Sequence, residues 1–287
     1  MSIKDFFVFI KLRISAPVAI SSAVGYILSS RFIDVDIFIL LVGIFLLASG
    51  SGALNQVQEW SLDALMNRTR NRPIPRRIIS PFKGLVISLF LISMGLLFLS
   101  QCQNFYLVIT LSLLAVVIYN GVYTPLKRVS PLAALPGALI GAIPPMIGWV
   151  FTGNSPLHPL NIALASFFFI WQIPHFWLLL ILHEDDYRRA GFPVLTDIIS
   201  PLQLSRISFI WIVALVGCSF LIISMLEHLS WLTFGGVVVL GIYLIFRTHK
   251  MVRVVQPRGF YRFAFINLNF FVLCVSLILS FNKLFNL

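Results

Sequence analysis

Apolar and polar positions fall in long blocks along this chain, not in the short alternation of a half-buried soluble element. Runs of apolar and small residues lie at about 16–31, 37–54, 84–100, 105–120, 132–150, 161–182, 208–226, 231–246 and 264–282, each close to the ~20 residues that carry a helix across the hydrocarbon core of a bilayer. Lipid offers no partner to backbone N–H and C=O groups, and no run shows the two-residue alternation of a barrel strand. The pattern therefore predicts an all-α, polytopic membrane protein of nine transmembrane helices, with residues 1–287 forming one membrane-embedded domain.

The polar breaks between runs carry the orientation. With the N-terminus inside, the inner segments hold Lys4, Lys11 and Arg13, then Arg68, Arg70, Arg72, Arg76, Arg77 and Lys83, then Lys127 and Arg128. They go on with Arg188, Arg189 and Arg206, and with Arg247, Lys250, Arg253, Arg258 and Arg262, so 19 of 21 basic residues are inside. Arg31 and Lys283 fall on the other side. Basic loops stay cytoplasmic, so the bias predicts a cytoplasmic N-terminus, an outer C-terminus, and nine spans, since one missed span would scramble it.

Composition agrees. The chain is 59% hydrophobic and 11% charged, with a mean hydropathy of +0.96, where a soluble domain carries about 25% charged residues. A net charge of +11 is then read as a set of topology signals and not as a nucleic-acid surface. Cys102, Cys218 and Cys274 show no paired spacing, which argues against a disulfide framework or a zinc site. The first residues, MSIKDFFVFIKLRISAP, hold scattered charges and no small-residue cleavage site. They read as a retained cytoplasmic segment.

Acids are rarer and more localised. Six of the ten, Glu59, Asp63, Glu184, Asp185, Asp186 and Asp197, lie in the inner loops after the second and sixth runs. Two polar loops four spans apart are what an internal duplication produces, although no residue-level repeat accompanies them. In the first loop Asn55, Glu59 and Asp63 are spaced i, i+4, i+8. If the second span runs on as a helix past the membrane surface, all three share a face. Two carboxylates one turn apart repel unless a cation sits between them, and oxygen ligands of this kind suit Mg2+ together with substrate phosphates and water. Arg68, Arg70, Arg72, Arg76 and Arg77 follow, and guanidinium forks grip phosphate oxygens. Acids for Mg2+ beside arginines for phosphate describe a diphosphate site. Glu184, Asp185 and Asp186, followed by Arg188 and Arg189, would form its second side, and Lys127 with Arg128 a third. Basic loops and solvated acids at helix ends also arise from topology alone.

The residues resemble a known family. The pattern N-x-x-x-(D/E)-x-x-x-D after the second span, with a second acidic motif after the sixth of nine, looks like the UbiA superfamily of intramembrane prenyltransferases. Five blocks in order resemble its haem O synthase (protohaem IX farnesyltransferase) branch. They are Asp63-Ala-Leu-Met66-Asn-Arg68-Thr69-Arg-Asn71-Arg72-Pro73, Tyr123-Thr124-Pro-Leu126-Lys127-Arg128, Pro144-Pro145-Met-Ile-Gly148-Trp149, Trp171-Gln172-Ile-Pro174-His175-Phe176 and Asp186-Tyr187-Arg-Arg-Ala190-Gly191-Phe-Pro193. Together they cover most of the chain. Departures are Glu59 where the superfamily usually has Asp, Leu195-Thr196-Asp197-Ile198 after the last block, and Lys11-Leu12-Arg13 for an N-terminal Lys-Pro-Arg. The second acidic motif is not a clean DxxxD, so which of Glu184, Asp185 and Asp186 ligates metal stays open.

The resemblance implies farnesyl diphosphate as donor, haem B as acceptor and Mg2+ as cofactor, in a bacterial inner membrane with the active site at the cytoplasmic face. It implies metal held by Asn55, Glu59, Asp63 and the second cluster, with Arg68, Arg72, Lys127 and Arg128 neutralising the leaving group. Tyr123, Trp149 and Trp171 are candidate aromatic faces for an allylic cation, and Gln172, His175, Tyr187 and Arg188 complete the expected substrate contacts. Haem A synthase or haem-copper oxidase assembly proteins are the implied protein partners. His175 is an ionisable residue inside a span, a position that marks function. It has two readings: a haem-iron ligand through neutral imidazole, or a donor to the carbonyl that Pro174 frees. Gly137, Gly141, Pro144, Pro145 and Gly148 predict a closely packed fifth span. A quinone precursor or other aromatic acceptor is the competing enzyme reading. A transporter is the competing reading from another class, but it needs charge near the midplane, and here the charges crowd one rim.

Overall fold

A computed structural model describes residues 2–30 and 32–285; Arg31, assigned above to the outer side, lies outside the described residues. Among the described residues nine helices are long and apolar enough to cross a membrane, and no strand occurs.

The short α1 (Ile3–Phe9) precedes α2 (Leu12–Ser30), α3 (Val35–Asp63), α4 (Pro81–Leu99) and α5 (Phe105–Val116). A π-helical segment, Val117–Tyr123, and the one-turn α6 (Thr124–Leu126) continue α5 without a break. After a 3-10 turn at Pro131–Ala133 come α7 (Ala134–Phe151), α8 (Pro159–Arg189), α9 (Pro201–Ser224), α10 (Trp231–Thr248) and α11 (Arg258–Phe285). The nine apolar runs map one to one onto these helices. The largest excess over the expected limits is at the C-terminal end of α3, and the C-terminal end of α8 also overruns; these two ends carry the acids. α3 runs nine residues beyond the apolar stretch, and α8 passes a break in helical dihedrals at His183 (φ −122°, ψ 20°) before ending at Arg189.

Caps set the starts. Ser80, Ser200 and Ser230 accept from the N–H three residues on, at the heads of α4, α9 and α10, and so satisfy donors that a helix start leaves open. Large apolar side chains such as Phe90, Leu97, Ile210, Val239, Ile242 and Ile266 stay exposed along the helix exteriors, as a lipid-facing surface requires.

The tightest packing is between α2 and α7. A Cβ on Gly25 would lie 1.9 Å from the Pro145 carbonyl oxygen, and one on Gly148 would lie 1.9 Å from that of Ser22. Only glycine lets these backbones meet, which is how helices associate where lipid supplies no hydrophobic drive. The N-terminal half of α7 uses the same device for side chains. A Cβ on Gly137 would stand 2.7 Å from the Tyr123 ring, and one on Gly141 would stand 2.4 Å from Gln172. The fifth span thus gives up its own side-chain volume to seat two candidate site residues.

Candidate functional site

The end of α3 is the centre of the site. Its continuation as helix places Asn55, Glu59 and Asp63 on one buried face, at 2%, 2% and 1% exposure. Such burial is costly for carboxylates unless they are paired, and each has one oxygen paired. Lys127 Nζ donates to Glu59 Oε2 at 2.6 Å, and Arg72 donates to Asp63 Oδ2 at 2.7 Å. Asn55 Nδ2 donates to the same Glu59 oxygen at 3.0 Å and to Thr124 Oγ1 at 2.9 Å. The other oxygens, Glu59 Oε1 and Asp63 Oδ1, are buried with no hydrogen-bond partner.

One member of this cluster was not among the residues expected from the sequence. Lys11, in the turn between α1 and α2, donates to Asn55 Oδ1 at 2.6 Å and to the Tyr119 hydroxyl at 3.2 Å. It adopts a left-handed backbone (φ 51°), and its stem lies over Gly52, where a Cβ would come within 3.2 Å of the Lys11 Cδ. Burial pushes its ammonium well below the usual lysine range, with Arg72 and Lys127 adding to the push and Glu59 and Asp63 opposing it. In the sequence Lys11 is only a basic residue of the first inner segment, in a Lys11-Leu12-Arg13 that departs from the family's N-terminal Lys-Pro-Arg.

The π-helical segment brings in the aromatic wall. Tyr119 and Tyr123 stack at 5.9 Å, and Tyr123 stacks on Phe176 of α8 at 5.7 Å. Lys127 Nζ stands 5.4 Å from the Tyr123 ring centre and 5.7 Å from that of Phe192. Asn120 Nδ2, on the same segment, donates to Gln58 Oε1 at 3.0 Å and to the Ser51 carbonyl at 3.0 Å, which fastens the segment to α3. Arg128 donates to the Gln58 carbonyl at 2.6 Å and so acts on the outside of α3.

The second acidic loop docks on the first. Asp186 accepts the backbone N–H groups of Asn67 and Arg68, both at 3.1 Å, and pairs with Arg189 at 3.3 Å. Met66, Tyr187, Ala190 and Phe192 pack beside it. Glu184 accepts from Arg188 at 2.8 Å and from Thr196 at 2.6 Å. Arg188 also pairs with Asp197 at 2.6 Å, which holds that carboxyl below the ordinary range. Asp185 pairs with Arg258, and both are 65% exposed. In the second cluster both Asp186 oxygens, Glu184 Oε1 and Asp185 Oδ2 are engaged by cations, a hydroxyl or N–H groups, whereas the first cluster holds two carboxylate oxygens that are buried with no partner. Among the described residues no three or more His, Cys, Asp or Glu side chains gather into one metal-holding group. Two unpartnered buried carboxylate oxygens one turn apart nevertheless fit an ion that takes one or two protein carboxylates and completes its shell from phosphate and water.

The remaining expected residues separate. The Arg68 side chain is exposed at the rim. Trp171 packs edge-on against His175 at 5.0 Å, and His175 Nδ1 lies 3.0 Å from Asn269 Oδ1 of α11. The partner of His175 is therefore a side chain and not the carbonyl that Pro174 frees. Trp149 lies apart from the carboxylates. It packs on His158 at 4.9 Å at the other end of the bundle, in a cavity of about 150 Å3 that Asn154, His228 and Lys283 also line.

Such a bundle is that of a membrane-embedded prenyltransferase. A UbiA homologue from Archaeoglobus fulgidus bound to GPP and Mg2+ superposes with a TM-score of 0.67 at 13% identity, over 96% of this chain and 99% of that one. The chain belongs to the UbiA prenyltransferase family, whose profile matches residues 18–271. Its relatives include the protoheme IX farnesyltransferase of Nitratidesulfovibrio vulgaris (strain Hildenborough), 34% identical over 88% of each chain. The protoheme IX farnesyltransferase of Geobacter sulfurreducens is 41% identical over 69% of this chain and 73% of its own.

Proposed function

We propose that the protein transfers the farnesyl group of farnesyl diphosphate to a vinyl group of haem B, with addition of water, to give haem O and diphosphate. Likeness to proteins named protoheme IX farnesyltransferase, at 34–41% identity, supports the acceptor. The observation that carries the donor is the buried Asn55–Glu59–Asp63 face with two unpartnered carboxylate oxygens, ringed by Lys11, Arg72 and Lys127.

Three cations surround two carboxylates, so the site is electropositive and attracts a polyanionic head group. The farnesyl tail lies among the helices beneath it. Glu59, Asp63 and Asn55 are the residues that would hold Mg2+, and the ion when bound would neutralise the diphosphate leaving group. Lys11, Lys127 and Arg72 donate to diphosphate oxygens as the C1–O bond breaks and both electrons leave with oxygen. Tyr123 and Phe176 present ring faces to the allylic cation that remains. The terminal carbon of the haem vinyl group then bonds to C1, and the positive charge passes to the carbon beside the macrocycle. Water adds there and loses a proton, which leaves a hydroxyethylfarnesyl side chain.

The site lies at the cytoplasmic face of a bacterial inner membrane, with the N-terminus inside and the C-terminus outside, a reading supported by the positive-inside bias and by likeness to bacterial relatives. Haem A synthase or haem-copper oxidase assembly proteins are the partners to which the product passes.

The test is haem extracted from cells lacking their own haem O synthase and supplied with this chain or its Asp63→Asn variant. Reversed-phase chromatography with mass detection reads the product. Haem O from the parent and none from an equally abundant variant is expected. No haem O from a well-expressed parent refutes the acceptor, and haem O from both refutes the metal site.

A further inference from the structure

His175 and Asn269 form a polar pair inside the apolar part of the bundle, on α8 and α11. The hydrogen-bond pattern fixes the proton. Asn269 Nδ2 donates to the Phe265 carbonyl at 2.6 Å, so the amide oxygen is the atom that faces His175 Nδ1 at 3.0 Å. Turning the amide over would set its oxygen against the Phe265 carbonyl. An amide oxygen only accepts, so Nδ1 carries the hydrogen and Nε2 keeps its lone pair. Nε2 makes no hydrogen bond among the described residues, and the half-buried ring leaves it accessible.

The ring is also held in place. Trp171 meets it edge-on at 5.0 Å, Phe265 at 4.8 Å and Phe176 at 5.8 Å. Helix–helix fastening alone does not account for this. Nδ1 alone makes the link to α11, so a pair of amides would fasten the helices equally well without an accessible imidazole lone pair beside it. An accessible, unprotonated imidazole nitrogen on a ring held in place is what an iron ligand requires. The ring also joins the diphosphate site through touching side chains: Phe176 stacks on Tyr123 at 5.7 Å, and Tyr123 lies under Lys127, the partner of Glu59.

We propose that Asn269 is a positioning residue that locks His175 in its Nδ1–H tautomer and so presents Nε2 as an axial ligand to the iron of the haem substrate. The inference rests on the haem reading above. A hydrogen bond accepted from Nδ1–H raises the basicity of Nε2 and orients the ring, and loss of such a partner costs about 10- to 100-fold in metal affinity.

Ferric haem B is titrated into the purified full-length protein in detergent and followed by its Soret band, electron paramagnetic resonance and midpoint potential. The native chain gives an imidazole-ligated spectrum. His175→Gly loses it, and added imidazole restores it. Asn269→Leu weakens haem binding by about 10- to 100-fold. Asn269→Asp keeps the ligation but shifts the midpoint potential negative, because a carboxylate draws the Nδ1 proton and makes the ligand more imidazolate-like. Should Asn269→Leu fail to fold, Asn269→Asp carries the test alone, since a purely structural contact does not move the potential of bound haem. A potential and spectrum identical to native in Asn269→Asp overturn the role of Asn269. A native spectrum unchanged in His175→Gly overturns the ligation and leaves haem as the acceptor. If the native chain neither binds haem nor yields haem O in cells, the acceptor reading falls with the inference.

Discussion

Lys127 and Glu59 offer the sharpest test of how the site is held together. Their contact is 2.6 Å, with side chains 20% and 3% exposed. In Lys127→Met the Glu59 carboxylate stays buried, with only the Asn55 amide left on Oε2 and nothing on Oε1. Breaking a buried pair by removing one partner costs about 3–5 kcal/mol, most of it the penalty on the stranded charge. At ~2 °C per kcal/mol, the low end of the range and suited to a longer chain, the unfolding midpoint falls by roughly 6–10 °C. The double variant Glu59→Gln/Lys127→Met removes the stranded charge and recovers most of that loss, so the two changes are non-additive by more than 1 kcal/mol. Mg2+ at millimolar concentration stabilises Lys127→Met more than the native chain, because the ion meets a carboxylate with no competing ammonium. Turnover also falls, by ~10²–10³-fold if Lys127 acts as one donor to developing charge on the leaving diphosphate. The assay is thermal unfolding in detergent with and without Mg2+, beside initial rates on farnesyl diphosphate and haem B. Additive single and double variants, or a Lys127→Met midpoint within 2 °C of native, would refute the reading that this ammonium is the counter-charge of Glu59.

Three further outcomes follow from the same geometry. Burial holds Lys11 below the usual lysine range, and a bound polyanion raises it again, so diphosphate binding takes up a proton. Affinity therefore falls as pH rises, more steeply in the native chain than in Lys11→Met, and equal slopes in a calorimetric pH series would count against the assignment. Asp186→Ala frees two backbone N–H groups of the first loop and raises KM for the prenyl donor tenfold or more, each such bond to a charged acceptor being worth about 1.5–3 kcal/mol. Asp185→Asn changes KM less than about fivefold, since an exposed pair is worth ~0.2–1 kcal/mol; the reverse order in steady-state kinetics would move the metal site to the second loop. Tyr123→Leu removes a cation–π contribution of about 0.5–2 kcal/mol and lowers kcat roughly 2- to 30-fold, Tyr123→Phe keeps it, and Trp149→Leu leaves kcat unchanged; a rate loss at Trp149 in single-turnover assays would contradict its placement.

The spans were legible because lipid imposes one rule, a long apolar helix, and each run obeys it. The Asn55–Glu59–Asp63 face was legible because helix periodicity is local, and α3 does run on through all three. Lys11 was not. It stands in a basic segment that also reads as a topology signal, and its contact with Asn55 spans 44 positions in sequence. The π-helical segment was equally hidden, since over seven residues a slightly wider turn leaves the same apolar pattern. It decides the site all the same, because it stacks Tyr119 on Tyr123 while Asn120 faces α3. Trp149 is a different case. It stands at the far end of the fifth apolar run, which begins just after the loop that holds Lys127, so span arithmetic alone places it at the opposite membrane surface from Lys127. Its motif invited a role that its depth forbids.

The two acidic loops look alike in sequence, yet the structure gives them opposite chemistry. At the end of α3 the carboxylates are buried and half-satisfied, each with one oxygen on a cation and one without a partner. At the end of α8 they are nearer the solvent, each has at least one oxygen on a cation, and none is left with a buried unpartnered oxygen. An ion that must displace a cation or a backbone N–H loses what that donor supplied, whereas an ion that meets an unpartnered buried oxygen relieves a penalty already present. The first cluster is therefore the better metal seat, and the second works through Asp186, whose two oxygens fix the backbone at Asn67 and Arg68. Fixing that turn sets the start of the segment whose Arg72 neutralises Asp63. The repeated acidic loops are thus a division of labour, with one loop to hold charge and one to hold the loop that holds it.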